Sequence, residues 1–146
     1  MIVTVDTNVL FEALYSSRGA SYQILRLIRN GEISLAISVP MFQEYQAVLL
    51  RKEKKNQLGL DDSQIESVLQ FIAAVGRPTH ISYIWRPNLK DEADNMVLEL
   101  AIASRSQYLI TRNIRDFTKA ADLKEFDIKI VTPYEFLKNW REKYGE

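Results

Sequence analysis

Short apolar segments alternating with helical stretches constrain this chain more than any other feature. Ile2–Val5, Ser34–Ser38, Thr79–Ile84, Tyr108–Thr111 and Ile128–Val131 are mostly apolar, several rich in β-branched residues, and read as strands. Between the first two, Val9–Tyr15 and Ala20–Arg29 carry helical spacing, and Asn30-Gly31 closes the second helix. Pro40 sits where a helix over Met41–Leu50 begins, and Asp61, Asp62 or Ser63 caps another that runs through Ile65, Leu69 and Ile72 and ends at Gly76. A nearly all-apolar helix runs from Asp91 to about Ser104, and Thr132-Pro133-Tyr134-Glu135 opens the last one as a capping box. Strands this short and apolar, separated by helices, predict an α/β fold, with a parallel sheet as the middle layer of a three-layer sandwich. No repeat, linker or low-complexity tract interrupts the pattern, so residues 1–146 read as one domain, and 47% hydrophobic content supplies its core.

Composition narrows the chemistry. Lys+Arg 19 and Asp+Glu 19 cancel, which excludes a polybasic binder that works by long-range attraction. Without cysteine there is no disulfide, no thiolate zinc site and no cysteine nucleophile, and the chain suits a reducing cytoplasm. The one histidine, His80, falls inside the third predicted strand and reads as structural; motifs that need two histidines are excluded. The start MIVTVDTNVL resembles no leader, and no window approaches the roughly 20 apolar residues of a membrane span. A soluble cytoplasmic protein is the expectation. Any metal site must then be built from oxygen ligands, which favours Mg²⁺ or Mn²⁺.

In parallel sheets ligands bind beyond the carboxyl ends of strands, so the polar residues that follow strands carry the functional question. Asp6 follows the first strand directly, Glu44 lies in the opening turns of the helix after the second, Asp91 and Asp94 begin the helix after the third, and Asn113 and Asp116 follow the fourth. Each has an ordinary explanation: Asp6 and Asp91 as helix caps, Glu44 as an exposed residue favoured by the helix dipole, Asn113 or Asp116 as turn formers. Capping does not explain why successive strand ends all carry acids toward one edge. Gathered there, these carboxylates raise one another's pKa and call for a divalent cation.

The same residues resemble a known family. Val5-Asp6-Thr7-Asn8-Val9-Leu10, Ser38 to Glu44, Lys90-Asp91-Glu92-Ala93-Asp94-Asn95 and Leu109-Ile110-Thr111-Arg112-Asn113-Ile114-Arg115-Asp116-Phe117 look, in order and spacing, like a PIN domain across the whole chain. The resemblance is to stand-alone bacterial and archaeal members, including VapC-type toxins of toxin–antitoxin pairs. It implies a central five-stranded parallel sheet in the order 3-2-1-4-5 and a metal-dependent endoribonuclease. It also implies an RNA substrate, one or two Mg²⁺ or Mn²⁺ ions, a cognate antitoxin and a homodimer. Carried onto this chain, the acidic metal-binding positions are Asp6, Glu44, Asp94 and Asp116, with Asn113 standing where some members have an aspartate. Asp91 is accessory, and Asn8 and Thr111 match residues that orient the carboxylates.

RNA approaching a chain of zero net charge needs local cations. Arg51, Lys52, Lys54, Lys55, Arg112 and Arg115 are candidates for phosphate contacts. The ordinary reading of Arg51 to Lys55 is a solvated helix end whose cations the dipole favours. Two other functions compete with the nuclease: a weak or inactive PIN-like module that binds RNA or protein, and a Mg²⁺-dependent phosphatase. The latter wants a phosphate-cradling glycine loop or a second aspartate two residues past the first, and Asp6-Thr7-Asn8 has neither.

Overall fold

The computed structural model describes residues 1–81, 89–118 and 126–145. Five parallel strands form one sheet: β1 (Ile2–Val5), β2 (Ser34–Ile37), β3 (Arg77–Pro78), β4 (Tyr108–Ile110) and β5 (Lys129–Val131), in the order β3-β2-β1-β4-β5. The implied strand order is therefore the observed one. β1 lies at the centre, with Val3 opposite Leu35 of β2 on one side and Tyr108 of β4 on the other. The chain steps outward from β1 through β2 to β3, crosses back beyond β1 to β4, and steps outward again to β5. Right-handed crossovers in the two directions bring helices to both faces of the sheet, and the helix after β2 meets the crossing helix.

The first half carries α1 (Thr7–Tyr15), α2 (Ala20–Arg29), α3 (Val39–Leu49), α4 (Lys52–Leu58) and α5 (Asp62–Val75). The crossing helix is α6 (Glu92–Ala103), which packs against β1, β2 and β4; α7 (Ile114–Thr118) follows β4, and α8 (Pro133–Tyr144) follows β5. Val3, Leu35, Leu109 and Ile110 on the strands, with Tyr45, Leu49, Leu98, Phe117 and Phe136 on the helices, are buried in one core. The Tyr108 ring meets Phe136 edge-on, centroids 5.1 Å apart, and seats α8 on the sheet.

Local sequence explains where elements start and stop. Asp61 and Gln64 make a capping box for α5, and Thr132 and Glu135 make one for α8. The third strand is displaced from its expected place. It occupies Arg77–Pro78, pairing with Ala36 and Ile37, and Thr79 adds an N–H bond to the Ile37 carbonyl. Gly76 passes from α5 straight into extended backbone, and a proline is tolerated because the strand lies at the sheet edge. His80 is consequently past the strand and exposed, not within it, and residues 82–84 of the expected strand lie outside the described residues.

Two helices lie where the sequence reading placed none. Lys52–Leu58 coils into α4, which Gly59 stops in the left-handed conformation at φ 66°. The lysines therefore belong to a helix of their own and not to the end of the preceding one: Lys52 stands in its first turn, where the dipole opposes it, and Lys55 in its last, where the dipole favours it. Ile114–Thr118 forms the short α7 in what read as a turn, because burial of Phe117 draws it onto the core.

Candidate active site

Asp6 occupies the point where β1 ends and α1 begins. Its backbone N–H bonds to the Ile110 carbonyl of β4, and its side chain is buried. One carboxylate oxygen accepts from the Thr7 N–H at 2.8 Å, capping α1; the other accepts from Thr111 Oγ1 at 2.7 Å. The capping role and the site role thus fall on one residue. Thr111 Oγ1 also accepts from the Asn113 N–H at 3.0 Å, so its hydroxyl proton is committed to Asp6. A carboxylate offers about four lone-pair sites, and two are used here.

The other aspartates act on Asp6 electrostatically. Its carboxyl is raised above the usual range by burial and by the charges of Asp116 and Asp91, against the bonds from Thr111 and Thr7 that lower it. Asp94, half-buried in the first turn of α6, is pushed up to about 6 by burial and then by Asp91, Asp6 and Asp116. Four aspartates from three segments thus share one field at the carboxyl edge of the sheet. Asp91 itself caps α6, accepting from the Ala93 N–H at 3.0 Å. Asp116, exposed on α7, has its N–H on the Asn113 carbonyl.

Glu44 is half-buried on α3, and among the described residues no hydrogen bond or ion pair joins it to the aspartates. Asn8 is exposed on α1 beside Asp6. Among the described residues, no three acids or histidines stand close enough to hold one ion between them. The aspartates feel one another, yet Asp6 is turned to Thr7 and Thr111, and Asp91 to Ala93. The donor chemistry still fits a divalent cation, because positive charge placed between Asp6 and Asp94 would relieve the burial and repulsion that raise both.

Two supporting residues escaped the sequence reading. Tyr45 is fully buried, its hydroxyl donates to the Val5 carbonyl, and burial together with the nearby Asp6 charge raises it far above the usual phenol range. It pins α3, the helix of Glu44, against the end of β1; the signal was its place four residues from Met41 on the buried stripe of α3. Asn95, also buried, holds the segment before α6 by bonding both the N–H and the carbonyl of Leu89.

Half of the cations named for RNA are already engaged. Arg112 is ion-paired with Glu12 of α1 at 2.8 Å, Lys55 pairs with Asp62, and Lys54 lies 4.5 Å from the centre of the Phe11 ring. Arg51, Lys52 and Arg115 are exposed and make no such pair among the described residues. A wide groove of about 790 Å³ between α3 and β3, with Phe42, Gln43, Gln46 and His80 among its lining, contains no acidic residue among those described.

Comparison with known proteins bears on the fold and the family. The crystal structure of VapBC2 from Rickettsia felis bound to a DNA fragment from their promoter matches with a TM-score of 0.61 at 21% identity, covering 90% of this chain and 98% of that one. At that identity the likeness shows a shared fold. No curated protein matches the sequence. A family profile described as PIN domain matches residues 2–115, a span that runs from the first strand through Asp6, Glu44, Asp91, Asp94, Thr111 and Asn113 and stops one residue short of Asp116. With most of its length inside that match, and with the strand order and strand-end aspartates described above, the chain belongs to the PIN domain family.

Proposed function

We propose that this protein is a divalent-metal-dependent endoribonuclease, with residues 1–146 acting as one domain and serving as the toxin of a toxin–antitoxin pair. The observation that carries the reading is the shared field of Asp6, Asp91, Asp94 and Asp116, in which the carboxyls of Asp6 and Asp94 are both raised. A protein that only binds gains nothing from gathering carboxylates at a cost to its own stability. Membership of a nuclease family supports the same reading, and the likeness to VapBC2 supports a cognate antitoxin as partner. A homodimer is the assembly proposed with it.

Asp6 and Asp94 would hold a Mg²⁺ or Mn²⁺ ion, with Glu44 and Asp116 as the further acids of the site. Such an ion would supply compensating positive charge and a water of lowered pKa for phosphodiester hydrolysis. The chain's own part is orientation. Thr111 and the Thr7 N–H fix both oxygens of Asp6, Tyr45 holds α3 and so the helix of Glu44, and Asn113 fixes the rotor of Thr111. Asn8, exposed on α1 beside Asp6, keeps the accessory role of orienting the carboxylates, and Arg51, Lys52 and Arg115 remain available for phosphates.

The test is single-turnover cleavage of RNA with Mg²⁺ or Mn²⁺. Asp6→Asn and Asp94→Asn abolish cleavage while the circular-dichroism spectrum stays native; full activity in either variant overturns the assignment. The spacing of the acids, no three of them close together among the described residues, favours a second reading as a weak or inactive binding module. Absence of metal-dependent turnover in the unaltered protein, with RNA affinity retained, would establish that reading instead.

A further inference from the structure

The structure forms a second groove, of about 470 Å³, where the start of α2 meets α8. Arg18, Lys138 and Arg141 line it together with Tyr134 and a single acid, Glu142. In a chain whose charges cancel overall, three cations against one acid is a local excess. Among the described residues the side chains of Arg18, Lys138 and Arg141 make no hydrogen bond or ion pair, in contrast to Lys55 and Arg112. Tyr134 is 68% exposed, an aromatic face left open among cations.

The start of α8, with Tyr134, leaves the same edge of the sheet as Asp6. Tyr134 lies three residues past the end of β5, and the Thr111 N–H, next to Asp6, bonds the Val131 carbonyl of that strand. From Asp6, α1 runs nine residues, about 13 Å of helix, before the turn that reaches Arg18. Midway along α1, Glu12 pairs with Arg112.

We propose that this groove binds the single-stranded RNA of the substrate a few nucleotides from the cut, with Arg18, Lys138 and Arg141 on phosphates and Tyr134 stacked on a base. Spaced free cations around an exposed aromatic ring are what a flexible strand of phosphates and bases requires. An acidic peptide would satisfy the cations and leave Tyr134 without a role. The inference rests on the nuclease reading and deepens it. Lys138, Arg141 and Tyr134, on α8, lie beyond residues 2–115, the span of the family match, and Arg18 lies within it.

The experiment measures binding separately from cleavage. Asp6→Asn protein is titrated with a fluorescent oligouridylate over a range of salt concentrations. Adding Arg18→Gln, Lys138→Gln and Arg141→Gln should weaken binding and make the slope of log K against log salt shallower by about 2. Tyr134→Ala alone should cost about tenfold in affinity with the slope unchanged. All four positions are on the surface, and an unchanged melting temperature confirms that each variant is folded.

If the protein cleaves RNA but neither substitution alters affinity or slope, the groove proposal falls and the nuclease reading stands. If cleavage is absent and the predicted binding losses are found, the nuclease reading falls and the groove remains an RNA site. Polyglutamate binding as tightly as the oligouridylate, with no effect of Tyr134→Ala on either, would assign the groove to an acidic protein and overturn the proposal.

Discussion

Thr111 Oγ1 donates to Asp6 and accepts from the Asn113 N–H, so one hydroxyl just past β4 couples the end of β1 to the turn that leads to Asp116. At this scale the chemistry of the site is a matter of what each carboxylate is given. Asp6 receives two bonds that favour its charged form; Asp94 is raised by burial and three neighbouring charges. With a folded value of about 6 against an ordinary 3.8, Asp94 holds its proton more tightly in the folded chain. Its contribution to stability is therefore greatest at low pH and is lost as pH rises through about 6. In metal-free protein, Asp94→Asn should raise the melting temperature at pH above about 7, with the gain vanishing below about pH 4, where both side chains are neutral. A gain that is equal at both pH values would show that charge is not its cause. Asp6, Asp94 and Thr111 were readable from sequence because each stands at a strand end or helix start. Tyr45 and the Arg112 pairing were not, since their partners lie 40 and 100 residues away.

Among elements, the join between α5 and β3 shows how closely backbone controls placement. A Cβ built on Gly76 would stand 2.7 Å from Ile37 Cγ2 and 2.8 Å from the Ile72 carbonyl oxygen. The glycine lets α5 end directly against β2 and sends the chain into the edge strand. Gly76→Ala should cost about 1–3 kcal/mol, seen as a melting point lower by several degrees. An unaltered melting point would mean that Ile37 yields freely. Elements with strong local chemistry were readable: the capping boxes at Asp61 and Thr132, the proline at the start of α3, the apolar run of α6. β3 was displaced because Thr79 to Ile84 has the better strand composition, whereas pairing with Ala36 and Ile37 selects the residues next to Gly76. The lysines of α4 gave no apolar period, and the helix was legible only in Glu53 in the first turn, Lys55 in the last and Gly59 as the stop.

For the molecule as a whole, the sheet order followed from the family resemblance and the layering from alternation, while the charge distribution was invisible to a count of zero. Residues 18, 134, 138 and 141 come together only because α2 packs on α8. The last helix also closes the core, burying Phe136 and Leu137 against the sheet. Each such side chain is worth about 1.5–3 kcal/mol, so removing α8 forfeits a large share of a domain's ordinary stability of about 5–15 kcal/mol. A chain ended at Thr132 should lose its cooperative thermal transition; a sharp transition near the original temperature would show that the remaining layers are self-sufficient.

The bond between Asp6 and Thr111 spans 105 residues, and β1 gains its neighbour β4 only at Tyr108 to Ile110. On the ribosome the first strand emerges long before the partner that fixes its terminal aspartate. Chains fold as their long-range pairings become possible, and the central strand here waits for one of the latest. A nascent or truncated product that stops before Thr111 therefore carries Asp6, Glu44 and Asp94 without the hydroxyl that orients the first of them. Synthesis itself delays the assembly of the acidic edge until most of the protein has been made.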